Sequence, residues 1–203
     1  MKAKKIPGVP NHYKGAHFET ENLRFFDDHT LVVQQFELLK DRFFTINYWK
    51  HYCVNLSADF KLFDANGSYV NRIPIEGDFI RIDIPGPGNP QTKGYDWVLI
   101  VKIDTQCYDS ELERYLMTCR PSKSPGSKNK NIAHFYTEAS SSNFLISRGK
   151  EYIKVGIYGR NEVANFSRTG LLGKVRNFMI SVGGFLRLTK FQWKGLAEGL
   201  LDF

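Results

Sequence analysis

The feature that most limits the fold is a series of segments in which apolar and polar residues alternate with a period of two. In the clearest of them, Ile80, Ile82 and Ile84 alternate with Arg81 and Asp83. Successive side chains of a β-strand point to opposite faces of the sheet, so this pattern predicts a strand with one buried face. Such a strand needs neighbours, and the rest of the chain supplies candidates for them.

Two β-hairpins are predicted on either side of this strand. Asn66 and Gly67 form a strong short turn signal, with Phe60, Leu62 and Val70 in the flanking segments. The second hairpin covers residues 143–159 and turns at 148–150. Its apolar residues again alternate, so each hairpin is expected to bury one face.

Further strands are predicted between and before the hairpins. The apolar run at 95–103 should be a central strand, and residues 114–122 another. A turn at 27–29 should precede a strand over residues 31–38. Residues 43–55 carry aromatic side chains whose spacing fits either a short helix or a bulged strand.

The last third of the chain changes to a helical period. Apolar residues from Leu171 to Val182 recur at 3.6-residue spacing, and a second helical segment is expected at about 186–201, after an interruption at Gly183 and Gly184. We therefore predict an α+β fold, a curved antiparallel β-sheet or half-barrel with a C-terminal helical region packed on it. The expected organisation is an irregular basic arm (1–15), a β-rich domain (16–166) and the helical region (167–203).

The net charge of +7 is concentrated in three segments, 1–14, 120–130 and 168–203. Basic patches attract nucleic acid, anionic membrane surfaces or acidic proteins, although solvation of exposed segments is the interpretation we favour. The chain has three cysteines without C-x-x-C spacing, no apolar core of a signal peptide near the start, and no apolar run long enough for a membrane helix. We expect a soluble cytoplasmic protein without a cofactor.

The loop after the alternating strand contains Pro85, Gly86, Pro87 and Gly88. A phosphate cradle needs successive backbone N–H groups, usually at a helix N-terminus, and two of these four residues have no N–H to donate. The loop is therefore interpreted as a stiff connection or as a lip for a ligand or partner, which the aromatic residues Tyr95 and Trp97 would adjoin.

The polar residues Arg160, Asn161 and Glu162 are the best candidate constellation. Arg160 could clamp an anion and Glu162 could act as a base, or the two could form an ion pair at the strand-to-helix corner. Glu76 and Asp78 are a weaker pair of acids. No metal-binding or nucleophile motif is present, so no catalytic residue is assigned.

Basic and aromatic residues are interleaved in the terminal helical segment, at Lys190, Phe191 and Trp193. Such a face could contact phosphate or an anionic membrane surface. It could equally dock onto the sheet or onto another subunit, and this docking is ranked first.

Two resemblances accompany these patterns. The segments "GDFIRIDIPGPG", "GYDWV" and "GRNE" resemble recurring features of an uncharacterised bacterial family, which implies no activity. The order of strands followed by a terminal helix resembles the START-like helix-grip fold, which implies an apolar cavity between the sheet and that helix.

Three functions are carried forward. The first is a non-enzymatic structural or interaction module of a larger bacterial assembly, which binds another protein or itself. The second is a pocket protein of helix-grip type that binds an apolar small molecule or lipid. The third, with the least support, is an enzyme that uses Arg160 and Glu162 or the Glu76 and Asp78 pair.

Overall fold

The structure is a computed structural model that describes residues 2–52, 58–84, 94–127, 131–165 and 184–203, without the side chains of 184–191. Within these ranges the elements follow one another as β1 (Ala16–Phe25), α1 (His29–Phe44), a short 3-10 helix (Ile46–Tyr52), β2 (Asp59–Phe63), β3 (Phe79–Asp83), β4 (Asp96–Asp104), β5 (Glu113–Pro121), β6 (Ser141–Arg148), β7 (Tyr152–Glu162) and α2 (Gly184–Leu200). None of the described helices combines the length and the hydropathy needed to cross a bilayer.

The strands form one antiparallel sheet in the order β1-β7-β6-β5-β4-β3-β2. The predicted antiparallel sheet with a C-terminal helix is thereby confirmed, although the sheet takes a larger share of the fold than we expected. The alternating strand is β3, in which Ile80 and Ile82 are buried. The predicted second hairpin is β6 and β7, whose register runs from Arg148 opposite Ile153 to Ser141 opposite Arg160.

The first predicted hairpin forms its turn but not a full second strand. Gly67 adopts a φ of +84°, which a glycine tolerates without strain, and the amide of Val70 donates to the carbonyl of Leu62. The returning arm pairs through a single bridge between Phe63 and Tyr69. The main partner of β2 is β3, because the chain turns back over residues 72–78 before it pairs again.

The prediction of a strand over residues 31–38 is wrong, because this segment lies within helix α1. The Asp28 side chain accepts a hydrogen bond from the amide of Thr30, at 2.8 Å, and so caps the helix N-terminus. The buried side chains of α1 follow helical spacing: Val32, Phe36, Leu39 and Phe43. The turn read from residues 27–29 was the helix cap.

The ambiguous segment 43–55 resolves in part. Helix α1 ends at Phe44 and the 3-10 helix follows, with residues 53–55 outside the described ranges. Trp49 is completely buried, and its indole N–H donates to the carbonyl of Phe43. This hydrogen bond satisfies a carbonyl that the C-terminal end of α1 leaves unpaired and joins the two helices.

The main core lies between one face of the sheet, which we call the inner face, and the helices. Side chains from β1 to β7 meet α1 and α2 in a single apolar cluster. From α1 come Phe36 and Leu39, and from α2 come Leu196 and Leu200, all with almost no exposed area. Burial of this apolar area is the dominant favourable term in folding.

The opposite face of the sheet, here the outer face, is partly covered by the N-terminal arm, residues 2–15. Val9 of the arm packs on a smaller apolar cluster of Leu116, Leu145 and Tyr158. The guanidinium group of Arg114 is buried and donates to the carbonyl of Pro7 at 2.7 Å. The arm has no helix or strand, but its carbonyls are held by buried donors.

A glycine in β7 allows two other side chains to pack. A Cβ atom on Gly159 would clash with the ring of Phe18 and with the carboxylate of Glu162, whereas one on Gly195 would meet nothing within 4 Å. We expect Gly159→Ala to lower the free energy of unfolding by about 1–3 kcal/mol through overpacking. Urea denaturation followed by fluorescence measures this change.

Gly195→Ala is the matched control for that substitution. It adds the same methyl group in a helix with open space, so it should raise the free energy of unfolding by about 0.5–1 kcal/mol. Equal effects of the two substitutions would contradict the packing assigned to Gly159.

Candidate functional site

Strand β1 is an edge strand of the sheet. Among the described strands it pairs only with β7, so its other lateral edge has no strand beside it. Its last three residues are exposed, with 48% of Leu23 and 71% of Phe25 accessible to solvent. An edge strand presents unpaired backbone N–H and C=O groups, which are a template for another strand. Large apolar side chains at such an edge mark it as a candidate interaction site.

The two faces of β1 have different surroundings. Glu19 and Glu21 point to the outer face, where they contact the arm and Tyr158. Because side chains alternate along a strand, Leu23 and Phe25 share this outer face but lie beyond the arm. The ring of Phe25 lies 6.3 Å from that of Tyr152 on the neighbouring strand. Leu23 and Phe25 form an apolar patch, which we call the edge patch.

An open groove of about 540 Å³ lies beside the same end of β1, and residues of β1 and of α2 line it. We call it the edge groove. The residues that line it come from β1, the 3-10 helix and the C-terminal end of the chain: Asn22, Leu23, Arg24, Tyr52, Lys194, Gly195, Glu198, Gly199, Leu201 and Asp202. Gly195 opens this groove, because the position of its missing side chain is empty.

Two arginines hold the wall of the edge groove. The Arg24 guanidinium group donates to the carbonyls of Leu201 and Phe203, at 2.9 and 2.7 Å. Arg42 of α1 donates to the carbonyls of Gly199 and Asp202, at 3.0 and 2.8 Å. Cationic donors satisfy the carbonyls that a helix C-terminus leaves unpaired, so the end of α2 is fixed against β1 and α1.

A second candidate site is a cleft between the inner face and α2, where a helix-grip protein would have its cavity. Aromatic rings surround it, among them Trp49, Phe60, Phe144 and Trp193, whose neighbouring centroids lie 5.1–5.8 Å apart. Its volume is about 30 Å³. This volume holds one or two water molecules, whereas ligand pockets measure roughly 300 Å³ or more.

Buried polar groups border this aromatic cleft. Glu162, His134 and Gln192 line it, and Tyr136 lies beside Glu162. Burial raises the pKa of the Tyr136 hydroxyl, and the negative charge of Glu162 raises it further, so Tyr136 remains protonated. The Nδ1 atom of His134 accepts the amide of Tyr136 at 3.0 Å, which leaves the proton of a neutral imidazole on Nε2.

The three residues of the predicted polar constellation do not converge. The register between β1 and β7 shifts at a β-bulge, where Asn161 has a φ of +54°. Arg160 pairs with Glu19, at 2.7 Å, and not with Glu162 as one of our alternatives proposed. Asn161 bonds the backbone of the arm, while Glu162 lines the aromatic cleft. Residues that were predicted to act together therefore serve two faces of the sheet.

Other predicted residues are also placed by their contacts. Trp193 and Trp97 are buried, at 8% and 7% exposure. The Arg81 guanidinium lies over the ring of Tyr95, at 4.2 Å from its centroid. The loop residues Pro85, Gly86, Pro87 and Gly88 and the side chains of Lys190 and Phe191 lie outside the described part of the structure.

The acidic pair has a structural explanation. Asp78 is buried and accepts two hydrogen bonds from the guanidinium of Arg72, at 2.6 and 2.8 Å. Glu76 accepts the amide of Ile103. Asp78 thus stabilises the segment before β3 internally, and Glu76 links this segment to β4. Among the described residues, no three His, Cys, Asp or Glu side chains are arranged to hold a metal ion.

The sequence analysis missed the edge patch and the edge groove. Leu23 and Phe25 do alternate with polar residues, which is a strand signal, but their exposure depends on where the arm stops. Gly195 and Gly199 stand four residues apart in the predicted terminal helix. That spacing places them on one side of a helix and was the available signal for a groove.

Comparisons with known proteins leave the family undefined. No family model and no curated protein matches the chain. A hypothetical protein from Helicobacter pylori has a similar structure, with a TM-score of 0.45 and 12% identity over 98% of this chain and 96% of that one. A protein of unknown function from Staphylococcus aureus gives 0.38 and 11%, over 91% and 94%.

The carboxyl group of Glu21, which holds the arm on the sheet, should make the stability of the protein depend on pH. Burial alone would raise the pKa of Glu21, but hydrogen bonds from Lys4 and Tyr158 and the charge of Lys154 outweigh it, and the pKa is lowered below 4.5. A carboxyl group with a lowered pKa in the folded state contributes stability above its unfolded pKa, which is lost as the pH falls through the folded value. Stability should therefore decline from pH 5 to pH 3.

The variant Glu21→Gln separates the contribution of Glu21 to this pH dependence from that of the other carboxyl groups. Glu21→Gln cannot ionise, so its free energy of unfolding, measured in urea, should fall less between pH 5 and pH 3 than that of the wild type. Glu113 and Asp104 also have lowered pKa values and titrate in both proteins, so the difference isolates Glu21. Parallel pH curves would show that Glu21 does not stabilise the docked arm.

Proposed function

We propose that this protein is a non-enzymatic interaction module that binds an extended segment of a partner protein along the exposed end of β1. The observation that carries the proposal is the coincidence of an open sheet edge, an apolar patch and a groove of about 540 Å³ at one place. A strand added to an edge gains main-chain hydrogen bonds, and pockets for its alternate side chains give specificity.

The geometry of a strand matches the two sides of β1. Side chains of an added strand would alternate between the faces of the sheet. Those on the outer face would cover Leu23 and Phe25, and those on the inner side would enter the edge groove over Gly195. The edge groove carries both signs of charge, because the Nζ atom of Lys194 lies 3.6 Å from the Oε1 atom of Glu198. It therefore suits side chains of either charge.

The wider setting of this module rests on the sequence. The chain has three cysteines without paired spacing, which supports a reducing location such as the cytoplasm. The basic arm, the stiff Pro-Gly loop and the aromatic terminal helix support membership of a larger assembly, and the resemblance to an uncharacterised bacterial family supports a bacterial one.

A second candidate function is a pocket protein of helix-grip type, with a curved sheet or half-barrel around an apolar small molecule. The ring of aromatic side chains between the sheet and α2, with Glu162 at its border, favours it. Because the cleft measures about 30 Å³, a ligand would have to displace some of the side chains that line it. The edge site needs no such rearrangement, so it ranks first.

Selection of peptides tests the proposal without knowledge of the natural partner. A phage-displayed library of random peptides is panned on the wild-type protein, and the affinity of selected peptides is measured by fluorescence anisotropy. Gly195→Phe should fill the edge groove, and Leu23→Lys with Phe25→Lys should remove the edge patch. We expect each variant to weaken binding at least tenfold, because contacts at the centre of an interface dominate its affinity.

The matched control is Leu38→Lys. Leu38 is exposed to a similar degree, at 47%, but lies on α1. It should bind the same peptides as the wild type. Equal binding by all variants, or failure to select any peptide, would overturn the proposal. A dimer in sedimentation equilibrium that Phe25→Lys dissociates would identify a second copy of this chain, instead of a different protein, as the occupant.

A further inference from the structure

A second surface feature lies at the other end of β1, where the N-terminal arm crosses it. Here the arm forms an open pocket of about 240 Å³, which we call the arm pocket. The described residues that line it are Lys2, Ala3, Lys4, Lys5, Asn11, His12 and His17. The lining therefore contains three lysines and two histidines, and no acidic residue.

The two imidazole rings of the arm pocket are held close together. The centroids of His12 and His17 lie 4.7 Å apart, with the ring planes tilted by 48°. The Nδ1 atom of His12 accepts the backbone amide of Asn161 at the β-bulge, at 3.3 Å. The proton of a neutral His12 is therefore on Nε2, which makes its second nitrogen a donor.

The acidic residues near the arm pocket already have cationic partners. Glu19 accepts hydrogen bonds from the Arg160 guanidinium and from the amide of Lys4, at 2.7 and 2.8 Å. Glu21 accepts from the Lys4 ammonium and from the Tyr158 hydroxyl, both at 2.9 Å. These carboxylates are thus committed to holding the arm.

The remaining lysines of the arm pocket keep their positive charge exposed. Neither Lys2 nor Lys5 forms an ion pair with another residue that the structure describes. Together with the Nε2 donor of His12, they give the arm pocket an excess of donors and of positive charge. Such a set favours an anion over a cation or an apolar group.

We propose that the arm pocket binds the phosphoryl group of a small molecule. A phosphoryl group carries between one and two negative charges at neutral pH and three acceptor oxygens, which matches two lysine ammonium groups and the imidazole donor of His12. A carboxylate offers one charge and two oxygens and would leave donors unmatched. The volume of about 240 Å³ is below that of pockets for drug-sized ligands, so the molecule is small.

The environment of His17 supports an anion in this place. Burial lowers the pKa of His17, and the positive charges of His12 and Arg160 lower it further, while Glu19 acts in the opposite direction. An anion in the pocket adds a negative charge near the ring of His17 and favours its protonated form. A bound anion should therefore raise the pKa of His17.

The test uses inorganic phosphate on the full-length protein. The Hε1 signals of the histidines are followed by NMR at constant ionic strength, with chloride replaced by phosphate. We expect saturable shifts for His12 and His17, with little change for His29 and His51, which do not line the arm pocket. The pKa of His17, followed in the same spectra, should rise when phosphate is bound.

Variants distinguish a specific phosphate-binding site from electrostatic screening by the added ions. Lys2→Gln combined with Lys5→Gln should weaken phosphate binding at least tenfold, and both residues are exposed, so folding should be preserved. Lys150→Gln removes an exposed lysine from the turn between β6 and β7, at the opposite end of β7, and should have no effect.

Three outcomes would overturn the proposal. The first is a linear response to phosphate that chloride reproduces at equal ionic strength, since this shows screening alone. The second is an equal loss of binding in Lys150→Gln. The third is a single-stranded oligonucleotide that displaces phosphate and binds with an affinity that grows with its length, since this assigns the arm pocket to nucleic acid.

Discussion

The buried guanidinium of Arg160 is the interaction on which the arrangement of both surfaces depends. It joins three parts of the chain, because it pairs with Glu19 of β1 and donates to the carbonyls of Lys4 and Phe18. A buried charge is costly unless it is paired and fully hydrogen-bonded, and these partners meet that cost. The arm is therefore fixed across the first half of β1, and the second half stays uncovered.

The β-bulge at Asn161 makes this arrangement possible. In a regular strand, side chains 160 and 161 would point to opposite faces, but the inserted residue turns both toward the arm. Glu162 then returns to the inner face and borders the aromatic cleft. The bulge thus anchors the arm and orients the backbone amide of Asn161 that donates to His12. It also places Glu162 at the cleft.

The sequence predicted the regular parts of this fold and missed what tertiary contacts decide. The alternation in β3 and the turn between β6 and β7 are local signals, and both were confirmed. Helix α1 was mistaken for a strand because Asp28 was read as a turn residue and not as a helix cap. The pairing of Arg160 with Glu19 joins residues 141 positions apart, and no local pattern contains it. The edge patch was missed for the same reason, since it is defined by where the arm ends.

The short exposed end of β1 sets what the edge groove must contribute. Residues 23–25 span about 10 Å at the rise of a β-strand, which is enough for about two main-chain hydrogen bonds. Each such bond contributes about 0.5–1.5 kcal/mol, whereas micromolar affinity requires about 8 kcal/mol. Most of the affinity must come from side chains that cover Phe25 and fill the space over Gly195. Specificity in this module would therefore depend on the edge groove more than on the strand edge.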